Sequence, residues 1–387
     1  MSARGFDDLP AGVVKYPWCY DFVGSRVVDV SANHFSSFAV SDDGRLFSWG
    51  SGDSFVLGHG HLLGNGEPKE VEALRGAPIA AVSASKWHAL VATRRGEVFS
   101  WGEHSPGANQ QLRAPMRVEG LRGIPIAKVS VAESIAFGHA SYTSNALVVA
   151  VDGRVFSWGS GGIVLGHGDE EDQLVPKEVA TLRGTPIADI AIGRESAAAL
   201  AVDGALFTWG SGFLGVLGHG DMVSQWLPSQ VWELRGTPVV DMALGATFML
   251  AVTADGAVFS WGGGEFGRLG HGDEEDQWAP KEVEVLRGTP IAAVSAGAAH
   301  SLALSQGGAV FSWGYGNVGR LGHGDDADHH VPKHVEALWE MKVAAVSAGS
   351  SHSLAVTEAG AVFSWGWGHG GRLGPEEVEW FYSRLQQ

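Results

Sequence analysis

Short stretches in which apolar and small polar residues alternate recur along the whole chain, and one such unit can be followed from residue 291. Residues 291–296 and 301–304 predict two strands joined by a tight loop, since alternation with a period of two is typical of a half-buried strand. A glycine turn leads into a third alternating stretch at 309–313, and a glycine-rich loop separates it from a fourth strand predicted at 333–338. The unit is therefore predicted to be a four-stranded antiparallel sheet.

This unit is repeated at a nearly constant length. Phe-(Ser/Thr)-Trp-Gly occurs seven times, at spacings of 52, 57, 51, 52, 52 and 52 residues. A glycine stands five residues before each tryptophan, and the Asp-Gly found at four of these places is a strong signal for a hairpin turn. The tryptophans, which we expect to be structural and to pack between units, are Trp49, Trp101, Trp158, Trp209, Trp261, Trp313 and Trp365.

Seven units of four antiparallel strands predict an all-β fold, a seven-bladed β-propeller, whose ring leaves only short and protected strand edges. We place a single propeller at residues 15–381, after an N-terminal extension at 1–14 and before a C-terminal tail at 382–387. Residues 15–22 and 375–380 both look like a fourth strand, so eight candidates compete for seven places. One of the two segments must close the last blade, and the sequence leaves open which.

The composition excludes several classes of protein. Glycine supplies 56 of 387 residues, and this density excludes a helical bundle because each glycine in a helix interior costs about 1 kcal/mol. The hydrophobic content of 45% argues against global disorder, and no apolar run reaches the roughly 18 residues of a membrane span. With 26 basic and 43 acidic residues the formal charge is −17, so no direct binding to nucleic acid is expected.

The first residues carry neither the basic nor the apolar region of a secretory signal, and the single cysteine, Cys19, cannot form an internal disulfide. These features favour the cytoplasm, with the nucleus as the alternative.

Two units carry the clearest family signature. Val-Ser-Ala-Gly-Ala-Ala-His-Ser-Leu-Ala-Leu at 294–304 and Val-Ser-Ala-Gly-Ser-Ser-His-Ser-Leu-Ala-Val at 346–356 are each followed by Val-Phe-Ser-Trp-Gly and Gly-Arg-Leu-Gly. They resemble the regulator of chromosome condensation repeat, and the resemblance extends over residues 15–381. It implies the seven-bladed propeller but no single activity, since the family includes a nucleotide exchange factor for the Ran GTPase, a plant UV-B photoreceptor and modules of HERC-type ubiquitin ligases.

The light-sensing activity of that family is not expected here. The sensing tryptophans of the photoreceptor belong to a Gly-Trp-Arg-His-Thr motif, and the matching positions in this chain are Ala246, Ala298 and Ser350. Trp367 does resemble another surface tryptophan of the photoreceptor.

Nucleotide exchange on a Ran-like small GTPase is the alternative function. The exchange factors use a protrusion from one blade as a wedge at the nucleotide site, and the third repeat here carries about ten extra residues within 133–145. Lengthening a surface loop is often neutral, however, because it costs little free energy. The chain also has no basic N-terminal tail for chromatin, which weakens the nuclear version of this reading.

Motifs for catalysis or cofactor binding have simpler explanations. Gly-x-Gly-x-x-Gly occurs at 210–215, 262–267, 314–319 and 366–371, but phosphate binding requires a helix to begin after the glycines. Three copies continue into Leu-Gly-His-Gly-Asp, which is typical of a turn at the rim of a blade. Since the chain also has no Gly-x-Ser-x-Gly elbow and Cys19 lies on a predicted strand, we expect neither an enzyme nor a cofactor.

Histidine and acidic residues recur in the loops between the third and fourth strands. Because a propeller spreads equivalent positions around a rim, we expect no metal site and assign a structural role, bonding to loop backbone, to His59, His167, His219, His271 and His323. A denser cluster lacks the spacing of a calcium loop and is interpreted as a solvated acidic loop; it comprises His323, Asp325, Asp326, Asp328, His329 and His330.

The remaining candidate is a surface that binds a protein partner. The loops after the first and third strands of every unit emerge at one end of the propeller, the top, which also carries acidic runs at 169–172, 273–276 and 325–328. Aromatic residues break the repeat at these tips on blades six, seven, one, two and three, which are contiguous in a closed ring. The candidate partner-binding residues are His34, Phe35, Trp87, Phe137, His139, Tyr142, Tyr315 and Trp367.

These observations predict a non-catalytic scaffold that binds a protein with apolar anchors inside a basic rim. The alternative that the insertion in repeat three folds back over the aromatic residues and buries them remains open.

Overall fold

A computed structural model of the chain describes residues 14–15, 25–103, 111–135, 142–160 and 162–374. Seven four-stranded antiparallel sheets form the ring, which confirms the predicted all-β, seven-bladed propeller. Within each sheet the strands are hydrogen-bonded in sequence order, except that the last blade recruits β1, Val14–Lys15, from the other end of the chain.

Blades one to seven take their other strands, β2 to β28, in chain order. The bounds are Val27–Ala32, Ser36–Ser41, Leu46–Gly50 and Asn65–Glu70 in blade one; Ile79–Ala84, His88–Thr93, Val98–Gly102 and Leu112–Arg117 in blade two; Ile126–Ile135, Tyr142–Ala150, Val155–Gly159 and Gln173–Glu178 in blade three; Ile187–Ile192, Ser196–Ala201, Leu206–Gly210 and Gln225–Gln230 in blade four; Val239–Leu244, Phe248–Thr253, Val258–Gly262 and Gln277–Glu282 in blade five; Ile291–Ala296, His300–Ser305, Val310–Gly314 and His329–His334 in blade six; and Val343–Ala348, His352–Thr357 and Val362–Gly366 in blade seven.

Short 3-10 helices follow the third and fourth strands. Those after a third strand are Asp53–Phe55, Ile163–Leu165, Phe213–Gly215, Glu265–Gly267, Asn317–Gly319 and His369–Gly371; those after a fourth strand are Glu72–Leu74, Glu119–Leu121, Ala180–Leu182, Trp232–Leu234, Glu284–Leu286 and Glu336–Leu338. Among the described residues, no helix has both the length and the apolar character needed to cross a membrane.

The core lies between blades. The second strand of a blade, such as His300–Ser305, is buried along its whole length because neighbouring sheets cover both of its faces. The repeated tryptophans are all buried, at 2% exposure or less. Trp261 of blade five, for example, donates a hydrogen bond from Nε1 to the carbonyl oxygen of Val216 in blade four, at 2.9 Å. Trp49, Trp101 and Trp209 make the equivalent bond, whereas Nε1 of Trp313 and of Trp365 has no hydrogen-bond partner among the described residues.

The hairpin between the second and third strands requires glycine. Gly256 has φ of +83°, and a Cβ atom there would lie 2.8 Å from the Cα atom of Pro290 in the next blade. Glycine alone combines this backbone conformation with this close approach.

The prediction of a fourth strand at 333–338 was wrong, because the strand begins and ends four residues earlier. The strand is His329–His334, and the backbone N–H of Val335 makes a last bond to the carbonyl oxygen of Val310 at 2.8 Å. Glu336–Leu338 then forms a 3-10 helix that inserts Leu338 into the core, at 1% exposure. The apolar residues that suggested a strand are thus the buried part of a turn.

The N-terminal segment closes the ring. Val14 pairs with Ser364 and Lys15 with Phe363 on β28, which matches the pairing of Lys333 with Ser312 in blade six. Val14–Lys15 therefore holds the fourth-strand place in blade seven, and Val14, which the sequence placed in the extension, belongs to this strand. Residues 16–22 and 375–380 lie outside the described part of the chain.

Candidate protein-interaction site

The tips after the first strands meet around the top of the ring. In blades four to seven the first tip residue is glycine, and a Cβ atom on Gly297 would lie 2.4 Å from the carbonyl oxygen of Gly349 in the next blade. Blade one has Asn33 instead, whose Nδ2 donates a 2.8 Å hydrogen bond to the carbonyl oxygen of Ser85 in blade two. The side chain of Asn33 thus links the tips of blades one and two, and larger residues follow in the sequence.

Five side chains of blades seven, one and two alternate aromatic rings with cations across this surface, and we call them the cation–π row. Cζ of Arg372 lies 4.6 Å from the ring centre of Trp367 and 4.9 Å from that of Phe35. Nζ of Lys86 lies 5.2 Å from the ring centre of Phe35 and 4.2 Å from that of Trp87. Such contacts are worth about 0.5–2 kcal/mol each, so the rings are held in place before any partner arrives.

Arg372 is the anchor of the cation–π row. Its side chain is 1% exposed, and its guanidinium donates hydrogen bonds to the carbonyl oxygens of His369 and His34, both at 2.7 Å. No carboxylate of the described residues lies within ion-pair distance of it, and burial lowers the pKa of Arg372 to about 10. The two carbonyl oxygens and the two rings therefore stabilise a charge that would otherwise be costly to bury.

His34 joins the cation–π row to blade three. Its Nε2 lies 3.4 Å from Oε1 of Glu133. Burial lowers the pKa of His34, the carboxylate of Glu133 opposes this shift, and the positive charges of Lys86 and Arg372 add to it. At neutral pH the imidazole is therefore uncharged, and its contact with Glu133 is not an ion pair.

Glu133 belongs to a hairpin that is longer than its equivalents. In blade four the first two strands end their pairing at Ile192 with Ala197, whereas in blade three the pairing continues past Val131 with Ala146 to Ile135 with Tyr142. Four further pairs at about 3.3 Å per residue raise this hairpin by about 13 Å above the other tips.

The structure brings four of the eight predicted residues together: His34, Phe35, Trp87 and Trp367. Trp367 is 41% exposed, whereas Phe35 and Trp87 are half-buried. Tyr142 begins β11, but its side chain, like the whole of Phe137 and His139, lies outside the described residues.

Tyr315 belongs to a separate stack. Its ring lies 4.3 Å from that of Phe266 in blade five and 4.7 Å from Cζ of Arg320. Arg320 in turn donates to the carbonyl oxygen of Ser350 in blade seven at 3.0 Å.

The residues predicted to bind a partner did not include Arg372, Lys86 or Glu133. The Gly-Arg-Leu-Gly motif could have indicated Arg372. The same motif supplies Arg268 and Arg320, and both of these arginines are also buried beside an aromatic ring.

The recurrent loop histidines are built into their own blades. Each lies near the hydroxyl group of a serine or threonine on the third strand, as in Ser260 Oγ to His271 Nε2 at 3.0 Å and Thr208 Oγ1 to His219 Nε2 at 3.1 Å. The bonding partner is thus a side chain rather than the loop backbone that the sequence suggested. Burial lowers the pKa of these imidazoles, for example to about 4 at His323.

The carboxylates of the acidic loop in blade six bond to the loop itself. Asp328 accepts a hydrogen bond from the backbone N–H of Gly316 at 2.7 Å, and Asp325 accepts one from Ala327 at 3.1 Å. Within the described ranges, no group of three or more His, Cys, Asp and Glu side chains is arranged to hold a metal ion.

Charged residues also face the axis of the ring, at the third position of the innermost strands. Nζ of Lys128 lies 3.7 Å from Oδ2 of Asp189, and Asp241 accepts a 2.8 Å hydrogen bond from the backbone of blade six. Burial raises the pKa of both Asp29 and Asp241 to about 6.

On the bottom face, arginines of the Leu-Arg-Gly connections pair with glutamates of the fourth strands. The Arg183 to Glu178 and Arg287 to Glu282 distances are 2.9 and 2.6 Å. These pairs neutralise each other, whereas the runs 169–172 and 273–276 leave exposed acidic residues on the top.

Comparisons with a family profile and with known proteins agree on one family. The profile of the RCC1-like domain matches residues 16–301 and 144–383. The chain is 34% identical over 356 residues to the ultraviolet-B receptor UVR8 of Arabidopsis thaliana, covering 90% of this chain and 79% of the receptor. It is 36% identical over 327 residues to the E3 ubiquitin-protein ligase HERC2 of Mus musculus, covering 83% of this chain but 7% of the ligase.

Among solved structures, Prp20p of Saccharomyces cerevisiae, studied for its binding to Gsp1p and histones, superposes with a TM-score of 0.71 at 20% identity, covering 93% of this chain and 86% of that one. This likeness concerns the fold.

Proposed function

The chain belongs to the RCC1-like domain family, and from that premise we propose that it is a non-catalytic propeller that binds a protein partner through the top of blades seven, one and two. The observation that carries the proposal is the cation–π row, in which two buried or half-buried cations fix three aromatic rings near the surface. Aromatic side chains held in one conformation are the usual energetic centre of a protein interface, because little rotamer entropy is lost on binding.

The chemistry of the site supports binding rather than catalysis. The cation–π row has no serine, threonine or cysteine nucleophile, and the ammonium group of Lys86 lies over the rings of Phe35 and Trp87. The neighbouring imidazole of His34 contacts Glu133. The exposed acidic loops on the same end favour a partner whose apolar anchors are surrounded by basic residues.

The test compares two double variants in one binding assay. Wild-type protein first captures its partner from the native cell, and the partner is then titrated against Trp87→Ala/Trp367→Ala and against Arg183→Ala/Arg235→Ala. We expect the tryptophan pair to lose at least about tenfold in affinity, because truncation of an aromatic hot spot costs about 2 kcal/mol or more. The arginine pair on the bottom should bind like the wild type; a larger loss there would assign the partner to the bottom face.

The second candidate function is nucleotide exchange on a small GTPase, and the long hairpin of blade three favours it. Four further strand pairs, a length of about 13 Å beside the cation–π row, would suit a wedge. We propose that deletion of residues 137–143 leaves the propeller folded, because the pairs up to Val131 with Ala146 remain. Release of labelled GDP from a Ran-like GTPase should stop in the deletion variant, and release at the wild-type rate would eliminate the wedge.

A further inference from the structure

Blade four departs from its neighbours at its outer rim. The loop after its third strand reads Gly-Asp-Met-Val-Ser-Gln-Trp-Leu, whereas blades three and five read Gly-Asp-Glu-Glu-Asp-Gln-Leu-Val and Gly-Asp-Glu-Glu-Asp-Gln-Trp-Ala. Met222 and Val223 therefore stand where both neighbours carry two glutamates, and their side chains are 51% and 59% exposed. Blade one also has an exposed apolar pair at these places, Leu62 and Leu63, so the contrast is with the two blades that flank blade four. Exposed apolar residues between two charged loops indicate a binding surface.

Four more exposed apolar side chains surround this pair. Phe213 is 60% exposed, Trp226 is 40% and Leu227 is 43%, and Trp278 of blade five is 45% exposed. We call the set the rim patch, and it consists of Phe213, Met222, Val223, Trp226, Leu227 and Trp278.

Backbone contacts hold the rim patch together. A Cβ atom on Gly212 would lie 2.5 Å from the carbonyl oxygen of Met222, so the segment that carries Phe213 lies directly against Met222 and Val223. Gly215 approaches Trp278 so closely that a Cβ atom would lie 2.6 Å from its Cα atom. The segments that carry these side chains are therefore neighbours at the boundary between blades four and five.

The opposite side of the rim patch is fixed in the same way. The backbone N–H of Gly168 in blade three donates to the carbonyl oxygen of Trp226 at 3.2 Å, and a Cβ atom on Gly168 would lie 3.2 Å from Leu227. The patch thus extends from the loop of blade three to the fourth strand of blade five.

Negative charge flanks the rim patch on both sides. Gly168 leads directly into the acidic run 169–172, in which Glu170 and Glu171 are exposed. On the other side Trp278 follows the run 273–276 after one intervening residue, and Glu274 and Glu275 in that run are exposed. An apolar centre between two acidic loops is complementary to an apolar segment between two clusters of basic side chains.

We propose that the rim patch is a second docking site, distinct from the cation–π row, for a segment of another protein that carries apolar or aromatic side chains flanked on both sides by lysine or arginine. Charge argues against two occupants that this chain itself could supply. A twofold dimer through the patch would place acidic loops against acidic loops, and the chain's own 375–380 segment, Pro-Glu-Glu-Val-Glu-Trp, is acidic.

The experiment uses the full chain and a display library of random peptides of about 12 residues. The library is selected on the wild-type protein, and each enriched peptide is synthesised with a fluorescent label and titrated. The test variant, Met222→Glu/Val223→Glu, restores the Glu-Glu of the neighbouring blades and so should fold like the wild type, which a thermal melt verifies. The matched control is Val202→Glu, because Val202 is 70% exposed at the bottom hairpin of the same blade.

We expect the enriched peptides to share an apolar centre with basic flanks and to lose at least about tenfold in affinity, about 1.4 kcal/mol, on Met222→Glu/Val223→Glu. Glu274→Lys/Glu275→Lys should also weaken binding, whereas Val202→Glu and Trp87→Ala/Trp367→Ala should not. The last variant separates this proposal from the proposed function.

Three results of the peptide experiment would overturn the proposal: no enriched peptide, enriched peptides without basic flanks, or equal binding to the test variant. Sedimentation of the wild type as a dimer that Met222→Glu/Val223→Glu dissociates would also overturn it, since the occupant would then be a second copy of the chain.

Discussion

The guanidinium group of Arg372 donates a 2.7 Å hydrogen bond to the carbonyl oxygen of His34, a residue 338 positions away in the sequence. The bond joins blade seven to blade one on the top side, while β1 joins the same blade to the start of the chain on the outside. The backbone carbonyl oxygen of Arg372 also accepts bonds from Ser37 Oγ at 2.9 Å and Trp49 Nε1 at 3.0 Å. One residue thus contributes both its side chain and its backbone to ring closure.

Replacement of Arg372 should therefore weaken the whole propeller. Arg372→Ala leaves two carbonyl oxygens without their donor and removes the contacts with Phe35 and Trp367, so we expect a loss of about 2–4 kcal/mol in the free energy of unfolding. Urea denaturation followed by circular dichroism measures it. Arg183→Ala, which removes an exposed arginine, is the control and should leave the midpoint unchanged. An unchanged midpoint for Arg372→Ala would show that blade seven is held without this residue.

A repeated tryptophan should matter more than an exposed one in the same blade. Trp261 is fully buried between blades four and five, and Trp261→Ala should cost about 3–5 kcal/mol as a large-to-small change in a core. Trp278→Ala, at a side chain that is 45% exposed, is the comparison and should cost far less. Equal melting temperatures for the two variants would refute the assignment of Trp261 to an interface between blades.

The buried carboxylates at the ring axis should make stability depend on pH. Because burial raises the pKa of Asp29 and Asp241 to about 6, the folded state favours their protonated forms. Their favourable contribution is complete below the ordinary value near 3.8 and is lost as the pH rises through about 6. Asp29→Asn/Asp241→Asn should therefore be more stable than the wild type at pH 8, by roughly 1–3 kcal/mol per site, and equally stable at pH 4.

Asp43 provides a control of opposite sign for this pH dependence. Burial acts to raise the pKa of Asp43, but hydrogen bonds from Ser41 and Ser25 and the charge of Arg45 outweigh it and lower the pKa to about 2. Asp43→Asn should therefore reduce stability at neutral pH, and the difference from the wild type should shrink as the pH falls through about 2. Thermal melts across this pH range give both results, and a parallel response of the two sets of variants would contradict the assigned directions.

Removal of β1 should open the ring. Deletion of residues 1–15 exposes the edge of β28, so we expect a lower melting temperature and self-association that rises with concentration. Deletion of residues 1–12 keeps Val14–Lys15 and is the matched control. Light scattering and thermal melts separate the two, and identical behaviour would show that the pairing of β1 contributes nothing.

The fold was predictable because short sequence motifs within each repeat indicate its strands and turns. The Asp-Gly turns and the alternation before each tryptophan are properties of a few neighbouring residues. They recur with a period of about 52 residues. Closure was not predictable, because residues 15–22 and 375–380 carry similar patterns and the choice depends on pairing between opposite ends of the chain.

The candidate site was predictable only in part, for the same reason. Phe35, Trp87 and Trp367 were found because each breaks the repeat at a tip. Arg372 was not found, since Arg320 has the same neighbours in sequence; what distinguishes them is the residue that the next blade places opposite, His34 in one case and Ser350 in the other.

The pairing of β1 with β28 also determines when this protein can finish folding. Val14–Lys15 is synthesised before every other described strand of the propeller, but its partner is synthesised roughly 350 residues later, which takes about 20–70 s at about 5–20 residues per second. During that time six blades can stack while the two ends of the arc remain unsealed, with apolar faces that belong against each other. Newly made chains are therefore most exposed to aggregation and to chaperones in the interval before β1 pairs with β28.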